Sequence, residues 1–407
     1  MRASLTDNNA VRFGFGQAEF GSYLCTVPYT IRLERMSMEN YDFNLRKFNT
    51  SNIYSYFLSH QDVTKQDLAS GLNLTLPTVT KNIDYLSELG LIEVSGSRGQ
   101  TGGRRAITYS LCSEAKVALG LDITKHHVSC VVVDLNGKII SFKRNRLVFE
   151  YSEAYFKKIA DLLQEIIREN QIDDRKILGV GIGIPALVKS DTRSIFYSRI
   201  IDFREDTYEM IHKYIPYDIS MFNDAKASCF AEKWVNKDLK NSFYILLSNN
   251  VGGAMIINGQ VYNGNDFRAS EVGHITLVPN GRKCYCGQYG CTDSYLAATN
   301  LSADDLAGYF RNLLTTTDEI ILSSWDRYLD YMASTVNNVR TLLDCDIILG
   351  GYVGAYLEPY LDEIKRRTLV ISTFDTDSDY IKLCSYKNES IAAGSALHYI
   401  SQFIETI

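Results

Sequence analysis

The chain has 407 residues, of which 45% are hydrophobic, so it is long enough to form two or three domains with apolar cores of their own. Its net charge of −6 excludes a surface that is basic throughout, but it allows one small DNA-reading module. No apolar run approaches the ~20 residues that span a bilayer, and the first residues lack the hydrophobic core of a signal peptide. Nine cysteines suit a reducing compartment, and we therefore expect a cytoplasmic protein with no membrane partner.

The N-terminal part of the chain changes character near residue 45. Residues 1–44 show neither helical nor strand periodicity and mix glycine, asparagine, arginine and scattered aromatic residues. We therefore expect a poorly ordered extension there. Residues 45–112 instead have the pattern of short amphipathic helices followed by two strands, and we predict that they form a separate domain.

The helices of this predicted domain have recognisable ends. The first is expected over residues 52–59. Thr64 and Asp67 have the spacing of a capping box, in which each side chain bonds the other's backbone N–H, so a second helix should begin there. Thr75 is the expected N-cap of a third helix, and Gly90 should end it in a left-handed conformation. The apolar face of this third helix is expected to consist of Val79, Ile83, Leu86 and Leu89.

Two strands complete the domain, over residues 91–94 and 106–111, and a glycine-rich basic hairpin joins them over residues 96–105. Three helices and such a hairpin predict a winged helix-turn-helix, whose third helix enters the major groove of DNA. The alternative is a module used only for packing or dimerisation. The residues expected to contact DNA are polar residues on the third helix and arginines of the wing, namely Thr78, Thr80, Lys81, Asn82, Arg98, Arg104 and Arg105.

Residues 113–407 repeat one order of elements twice, in which a pair of strands is followed by helix and then strand. This order predicts an α/β domain of two lobes around a cleft. In the first round, strands are predicted over residues 117–122, 128–134 and 177–184, with a helix over residues 155–169. In the second round, strands are predicted over residues 243–247, 254–257 and 346–349, and a final helix begins near Ile391.

A compact set of metal-ligand residues lies in the second round. Cys284, Cys286 and Cys291 place three thiols within eight residues, and His274 stands ten residues before the first of them. Three thiolates and one imidazole form a closed tetrahedral set, which is typical of structural Zn²⁺ with no open position for a catalytic water. The alternative is three buried or free cysteines. The spacing favours structural zinc.

The same residues carry a resemblance to a family. Glu-Val-Gly-His over residues 271–274, followed by Cys-x-Cys-Gly-x-x-Gly-Cys over residues 284–291, resembles the ROK family of bacterial sugar kinases and sugar-responsive repressors. The resemblance covers most of the chain, from about residue 48. It implies that the two lobes have the actin-like, hexokinase-like fold with ribonuclease H-like lobes, following the winged helix-turn-helix.

The resemblance also implies a sugar pocket. Asn223-Asp224-Ala225 matches the family's Asn-Asp-Ala motif, in which the aspartate removes a proton from the attacking hydroxyl in kinases. Glu271 and His274 match further sugar-contacting positions. The family commonly has a glutamate where this chain has Asp293, which is one methylene shorter and puts the identity of the sugar in doubt. Taken singly, Asp224 could cap a helix, and Glu271 could pair with a surface cation, but their joint occurrence beside the cysteine loop favours a sugar pocket.

The nucleotide side departs further from the family. ROK kinases carry Asp-x-Gly-Gly-Thr after the first strand, because glycine lets backbone N–H groups approach phosphates. This chain has Asp122-Ile-Thr-Lys-His-His there, and Ser-Asn-Asn-Val-Gly over residues 248–252 where the family has Gly-Thr-Gly-Ile-Gly. Gly350-Gly351 survives on the adenosine side. The missing glycines predict that ATP binding, and with it any enzymatic activity, is lost.

These observations lead to a sugar-responsive DNA-binding regulator, most consistent with a repressor of carbohydrate-metabolism genes that sugar releases from a palindromic operator. The resemblance implies a homodimer or homotetramer. The alternative is a ROK sugar kinase that carries a DNA-binding domain, with Asp224 as the catalytic base. The residues do not separate a free-sugar repressor from an activator, or from a repressor that senses a phosphorylated sugar.

Overall fold

The computed structural model describes residues 38–98, 105–189, 191–302 and 305–407, with side chains described from residue 47 onward. The first helix, α1 (Met38–Ser59), begins well before the predicted start at residue 52. Residues 38–44, which were expected to belong to the poorly ordered extension, are therefore helical, and residues 1–37 lie outside the described residues. No helix in the described part of the chain is long and apolar enough to cross a membrane.

The elements after α1 have the order of a winged helix-turn-helix. Thr64 and Asp67 form the predicted capping box, the Thr75 side chain accepts from the N–H of Thr78, and Gly90 has a φ of +68°. These local predictions are confirmed. The remaining elements are β1 (Val63–Thr64), α2 (Lys65–Gly71), α3 (Leu76–Glu88), β2 (Ile92–Arg98) and β3 (Ala106–Leu111), and the strands pair antiparallel in the order β1-β3-β2.

The faces of α3 differ from the prediction at two positions. Leu89 was expected on the apolar face, but it is 47% exposed because it lies at the very end of the helix, beyond the other buried positions. Asn82 was expected on the solvent face, but it is only 3% exposed and faces α1. Its side-chain amide donates to the Thr78 carbonyl at 2.8 Å, and the Thr50 hydroxyl donates to its side-chain oxygen at 2.6 Å.

The first lobe is built on a mixed sheet. In the described residues its strand order is β10-β7-β4-β5-β6, with β4 parallel to β7 and antiparallel to β5. β7 has the predicted bounds, and the other predicted elements of this lobe are observed within a few residues. The elements are β4 (Val117–Ile123), β5 (His127–Asp134), β6 (Ile139–Arg146), α4 (Glu153–Glu169), β7 (Ile177–Ile184), β8 (Leu187–Val188), β9 (Ile195–Tyr197), α5 (Thr207–His212), β10 (Ile219–Asn223) and α6 (Asp224–Val235).

The second lobe repeats this topology. Its sheet has the strand order β13-β12-β11-β14-β15 in the described residues, with β11 parallel to β14 and antiparallel to β12. The elements are β11 (Ser242–Leu247), β12 (Val251–Ile257), β13 (Gln260–Tyr262), α7 (Asp293–Leu296), α8 (Leu306–Leu313), α9 (Glu319–Leu343), β14 (Asp346–Gly350), α10 (Gly351–Gly354), α11 (Leu361–Ile371), β15 (Ile381–Leu383) and α12 (Ser390–Thr406).

The last helix of the chain, α12, returns to the first lobe and packs on β4, β5, β7 and α6. Two-fold repetition of one strand order, with the chain's end folded back on the first sheet, forms the predicted pair of lobes. Asn223 at the end of β10 with the adjacent Asp224, Ser248 just after β11 and Tyr352 just after β14 line the cleft between the lobes, and the remaining candidate sugar-binding and metal-binding residues follow β13.

The burial of Asn82 leads to a stability prediction. Asn82→Ala would remove the side-chain oxygen to which the buried Thr50 hydroxyl donates and the amide that donates to the Thr78 carbonyl, so the free energy of unfolding should fall by about 1–3 kcal/mol. Urea denaturation measures this. The control is Lys81→Ala, one residue earlier and exposed, which should change stability by less than about 0.5 kcal/mol. Equal stability of the two variants would contradict the structural role assigned to Asn82.

Candidate functional site

The predicted DNA-contacting residues lie on α3 and at the base of the wing. Lys81 is exposed, and Thr80 is half-buried. The Thr78 hydroxyl lies 2.9 Å from the hydroxyl of the N-cap Thr75, so it is partly engaged within the helix. Asn82 faces the domain core, as described above, and the prediction that it lies on the solvent face is wrong.

The wing residues are less completely described. Arg98 ends β2, donates to the Asp62 carbonyl at 3.1 Å and lies 3.6 Å from the Asp67 carboxylate. Arg105 is exposed just before β3. Arg104 lies outside the described residues, as does the tip of the wing. Of the predicted DNA-contacting residues, Lys81 and Arg105 are therefore exposed, whereas Arg98 contacts Asp62 and Asp67.

Local hydrogen bonding shapes the Asn-Asp-Ala motif in the cleft. Asn223 ends β10 and caps α6, because its side-chain oxygen accepts from the N–H of Lys226 at 3.1 Å. The Asn223 amide donates to the Ala186 carbonyl and to the Asp224 carboxylate. Asp224 begins α6 and also accepts from the N–H of Ala225 at 2.8 Å. The strand-to-helix turn therefore holds both side chains at the mouth of the cleft.

A cavity of about 360 Å³ brings the predicted sugar-contacting residues together. Its walls come from both lobes, and Asn223, Asp224, Glu271 and His274 all line it. Gly252 and Gly253, at the start of β12, form part of the same wall. An amide, two carboxylates and an imidazole around one small cavity offer donors and acceptors suited to a ligand with several hydroxyl groups.

Asp293 lies apart from this group and does not line the cavity. Its carboxylate accepts from the N–H of Val251 at 2.7 Å, and burial raises its pKa to about 6. The contact ties the first residue of β12 to the start of α7, just after the cysteine-rich loop. Asp293 thus supports the wall of the cavity rather than presenting its carboxylate there.

Burial disfavours the ionised form of the two carboxyl groups that line the cavity, Asp224 and Glu271. Burial, and then the neighbouring Asp122 and Glu271 carboxylates, raise the pKa of Asp224 to about 7. Burial also raises the pKa of Glu271, while Lys226 nearby opposes the shift. The raised pKa favours the protonated form of the Asp224 carboxyl, which can donate as well as accept a hydrogen bond.

His274, Cys284, Cys286 and Cys291 form a cluster whose ligand atoms all lie within 4.8 Å of one another. The Sγ atom of Cys284 is 3.9 Å from Nδ1 of His274, and the Sγ atoms of Cys286 and Cys291 are 3.7 Å apart. Ligands about 2.3 Å from a central ion in a tetrahedron are roughly 3.8 Å apart, so the cluster is compatible with structural zinc.

The backbone of the loop makes this arrangement possible. Gly287 and Gly290 have φ values of +95° and +78°. A Cβ on Gly290 would lie 1.8 Å from the Val278 carbonyl oxygen. Glycine is therefore required where the loop reverses, and the reversal brings the third thiol back beside the first two.

Two further residues join the site that the sequence did not single out. The Tyr285 hydroxyl lies 3.1 Å from Nε2 of His274, and Tyr285 lines the cavity. The position of Tyr285 between Cys284 and Cys286 could have indicated from the sequence that it lies near the site. Arg199 also lines the cavity, and its guanidinium donates to the Cys286 carbonyl. Arg199 lies in a loop between β9 and α5, far from every motif, so no local pattern indicated it.

A larger cavity of about 670 Å³ adjoins the first, and an interaction between the lobes closes part of it. The Tyr352 hydroxyl, from α10, donates to the Asp122 carboxylate of β4 at 2.9 Å, and both residues are buried. The Arg144 guanidinium lies 4.5 Å above the Tyr352 ring. All three residues line the larger cavity.

Comparison with known proteins identifies the family. The ROK family model matches residues 118–400, which is well over half of the 407 residues. The chain belongs to the ROK family. This confirms the resemblance that the glutamate-histidine and cysteine motifs indicated.

Several ROK relatives match most of the chain. The putative xylose repressor of Caldicellulosiruptor sp. is 20% identical over 388 residues, which cover 88% of this chain and 97% of that protein. The xylose repressor of Bacillus spizizenii is 25% identical over 351 residues, which cover 85% of this chain and 87% of that protein. The DNA-binding transcriptional dual regulator NagC of Escherichia coli is 23% identical over 256 residues, which cover 62% of this chain and 63% of that protein.

Solved ROK structures share the fold. A ROK family transcriptional regulator, a homolog of the E. coli MLC protein, superposes with a TM-score of 0.67 at 17% identity over 89% of this chain and 97% of its own. The Streptomyces griseus ROK glucokinase, in complex with glucose and AMPPNP, superposes with a TM-score of 0.59 at 20% identity over 69% and 98%. The mixed α/β fold of two lobes is thereby confirmed.

The positions that the family resemblance assigns to the phosphate loops carry side chains in this chain, and both turns line the larger cavity. Thr124, Lys125 and His126 form the turn between β4 and β5, and Ser248 and Asn250 flank the turn between β11 and β12. Local packing and backbone conformation explain the glycine pair Gly350-Gly351. Gly351 has a φ of +79°, and a Cβ on Gly350 would lie 2.0 Å from the Tyr244 hydroxyl.

The buried Asp122 leads to a pH prediction. Burial raises its pKa to about 6, although the Tyr352 hydroxyl and Arg144 oppose the shift. Because the folded protein holds this proton more tightly than the unfolded chain does, the resulting stabilisation is present at low pH and is lost as pH rises through about 6. Asp122→Asn keeps an acceptor for Tyr352 but removes the titration. The wild-type protein should lose unfolding free energy between about pH 5 and about pH 8. In Asp122→Asn this loss should be smaller by roughly 1 kcal/mol.

Urea denaturation across this pH range, with zinc added throughout, tests the prediction. The exposed Asp161 supplies a control, since Asp161→Asn should leave the pH dependence unchanged. A wild-type slope that Asp122→Asn does not alter would contradict the prediction.

Proposed function

We propose that this ROK protein is a sugar-responsive transcriptional repressor, and that a sugar bound between its lobes relieves operator binding. One observation carries the proposal: a helix-turn-helix with an exposed third helix precedes a ROK cleft in which Asn223, Asp224, Glu271 and His274 meet. The glucokinase fold matches 69% of this chain, whereas that of the regulator matches 89%. The two relatives named xylose repressor and the relative named DNA-binding transcriptional dual regulator add support.

The sugar is proposed to lie in the smaller cavity. Its hydroxyl groups would pair with the Asn223 amide, the Asp224 and Glu271 carboxyl groups and the His274 imidazole. Asp293 would act indirectly, because its carboxylate holds Val251 at the start of β12. Burying several polar groups against a ligand that lacked matching hydroxyls would leave them unpaired, so these residues would also set specificity.

The response requires that the sugar bind two conformations of the protein unequally. We propose that sugar closes the lobes and changes the angle between the winged helices of a homodimer or homotetramer. The paired modules would then no longer match the half-site spacing of a palindromic operator. DNA contact is assigned to Thr78, Thr80 and Lys81 on α3 and to Arg98, Arg104 and Arg105 of the wing.

A sugar kinase with a DNA-binding domain is the second candidate. The observation that favours it is Asp224, which occupies the position of the ROK catalytic base and lines both cavities. The side chains at the phosphate-loop positions and the Tyr352–Asp122 interaction argue against it, because they occupy space that nucleotide phosphates need. ADP release from ATP in the presence of a hexose or pentose would establish the kinase.

Operator binding tests the main proposal. The purified protein is titrated onto its own upstream DNA at fixed salt, with and without a panel of sugars, and fluorescence anisotropy reports the affinity. We expect specific binding that one sugar weakens. Asp224→Asn should bind the DNA normally and lose the response to sugar. Binding that no sugar or sugar phosphate changes would contradict the proposal.

The DNA surface is tested with matched lysines. Lys81→Ala should weaken operator binding by about 1 kcal/mol, roughly fivefold, and leave sugar binding unchanged. Lys158→Ala removes an exposed lysine from α4 of the first lobe and should have no effect on DNA affinity. Equal affinities of the two variants would argue against α3 as the recognition helix.

We also propose that His274, Cys284, Cys286 and Cys291 bind one structural Zn²⁺. The soft ligand set with no carboxylate or open position favours a structural ion over a catalytic one. Bound zinc would fix the loop that carries Tyr285 and would orient the His274 ring, whose Nε2 faces the Tyr285 hydroxyl.

Zinc content and sugar response should therefore be lost together. Cys286→Ser is expected to remove about one zinc per chain, measured by mass spectrometry of the metal, and to weaken the response to sugar. Cys112→Ser changes a cysteine outside the cluster and should retain both. A Cys286→Ser protein without metal that responds to sugar normally would contradict the assigned role of zinc.

A further inference from the structure

Tyr285 stands between two residues of the cysteine cluster, and its backbone is held on both sides. Its chain neighbours are Cys284 and Cys286. The N–H of Cys284 donates to the Gln288 carbonyl at 2.8 Å, and the Arg199 guanidinium donates to the Cys286 carbonyl. These bonds restrain the peptide groups before and after Tyr285, so the direction in which its side chain leaves the loop is restrained as well.

The side chain of Tyr285 faces the cleft. The residue lines both the smaller and the larger cavity and is 41% exposed. Its hydroxyl lies 3.1 Å from Nε2 of His274, and the two rings meet edge to face. Within the described part of the chain, this is the hydrogen bond that the hydroxyl makes. A tyrosine hydroxyl has one donor and two acceptor lone pairs, so it retains hydrogen-bonding capacity for a ligand in the cavity.

The two nitrogens of the His274 ring have different partners. Nδ1 faces the cysteine cluster, 3.9 Å from the Sγ atom of Cys284, and Nε2 faces the Tyr285 hydroxyl. When Nδ1 binds Zn²⁺ through its lone pair, as proposed above, the proton of the neutral ring is on Nε2. Nε2 then donates to the Tyr285 oxygen, which leaves the Tyr285 O–H free to donate to a ligand. The cluster therefore determines that this hydroxyl offers the cavity a donor.

A ligand with several hydroxyl groups needs donors as well as acceptors in the wall of the smaller cavity, because each hydroxyl both donates and accepts. The Asn223 amide already donates to the Ala186 carbonyl at 3.3 Å and to the Asp224 carboxyl at 3.1 Å. Asp224 and Glu271 supply acceptor oxygens and at most one proton each. The Tyr285 hydroxyl therefore adds an uncharged donor to a wall in which the Asn223 amide is engaged.

We propose that Tyr285 binds the sugar directly, by donating its hydroxyl hydrogen to the oxygen of one sugar hydroxyl, and that His274 positions Tyr285 for this contact. The inference rests on the proposed function and refines it, because His274 then acts on the sugar through Tyr285 instead of touching it. A sugar without a hydroxyl at this position would leave the donor unpaired. Tyr285 is thereby a specificity-determining residue of the cleft.

Isothermal titration calorimetry of the full-length protein tests the inference. The probes are glucose, N-acetylglucosamine and xylose, each free and as a monophosphate, and the comparison uses the probe that binds the wild type most tightly. Tyr285→Phe keeps the ring and removes the hydroxyl, so its affinity for this probe should fall by about three- to tenfold. Its zinc content, measured by mass spectrometry of the metal, should equal that of the wild type, because the Tyr285 hydroxyl is not a metal ligand.

Tyr289→Phe is the matched control. Tyr289 lies in the same loop as Tyr285, but it is 55% exposed and lines neither of the two cavities. This variant should retain both the wild-type affinity and the zinc. A loss of affinity shared by the two variants, or a loss of zinc from Tyr285→Phe, would mean that the hydroxyl acts on the structure of the loop and would overturn the inference.

Monodeoxy forms of the same probe identify the contacted hydroxyl. One of them should bind the wild type more weakly than the parent sugar does, and the factor lost should be at least about threefold smaller for Tyr285→Phe, because that variant already lacks the contact. A purely structural role of Tyr285 would lower the affinity for all forms alike. If every deoxy form loses as much affinity for Tyr285→Phe as for the wild type, the inference is wrong.

The remaining outcomes separate the inference from the proposed function. Tyr285→Phe frees Nε2 of His274, so direct contact between His274 and the sugar predicts equal or tighter binding by this variant. That result would overturn the inference and leave the sugar-responsive repressor standing. If no probe binds the wild type or changes its affinity for the operator, the proposed function fails as well.

Discussion

The direct packing of α12 on the first sheet is the constraint on which the rest of the structure depends. A Cβ on Gly120 of β4 would lie 2.0 Å from the Ala392 carbonyl oxygen, and one on Gly181 of β7 would lie 2.0 Å from that of Ser395. On the other side of α12, a Cβ on Gly394 would lie 1.8 Å from the Ala227 carbonyl oxygen of α6. Because backbone meets backbone at these points, the position of α12 determines that of α6, which begins with Asp224.

The cleft inherits its geometry from this packing and from two contacts between the lobes. Tyr352 of the second lobe donates to Asp122 of the first, and Arg199 of the first lobe donates to the carbonyl of Cys286 in the second. One contact lies in the larger cavity and the other beside the cysteine cluster. Both join the two lobes, so a change in the angle between the lobes would alter both hydrogen bonds.

The N-terminal helices share their apolar packing with the same region. Tyr54 of α1 belongs to one continuous cluster of buried side chains with Leu135 of the first lobe and Ile400 and Ile404 of α12. The N–H of Leu135 also donates to the Ser113 carbonyl, just after the wing strand. Because buried side chains are close-packed, a movement of α12 against the first sheet must be accommodated in this cluster.

Features that depend on neighbouring residues could be predicted from the sequence. The capping box of Thr64 and Asp67, the left-handed Gly90 and the bounds of β7 were all predicted correctly, because hydrogen bonds a few residues apart decide them. The short spacing of the three cysteines likewise indicated their cluster.

Contacts between distant segments decided the rest. Asn82 is buried because α1 supplies Thr50, and Asp293 is drawn to Val251 rather than to the cavity. Arg199 reaches the site from a loop without a motif, and Asp122 meets Tyr352 only when two sheets face each other. No local pattern encodes which surfaces will be apposed, so only the tertiary structure decided these positions.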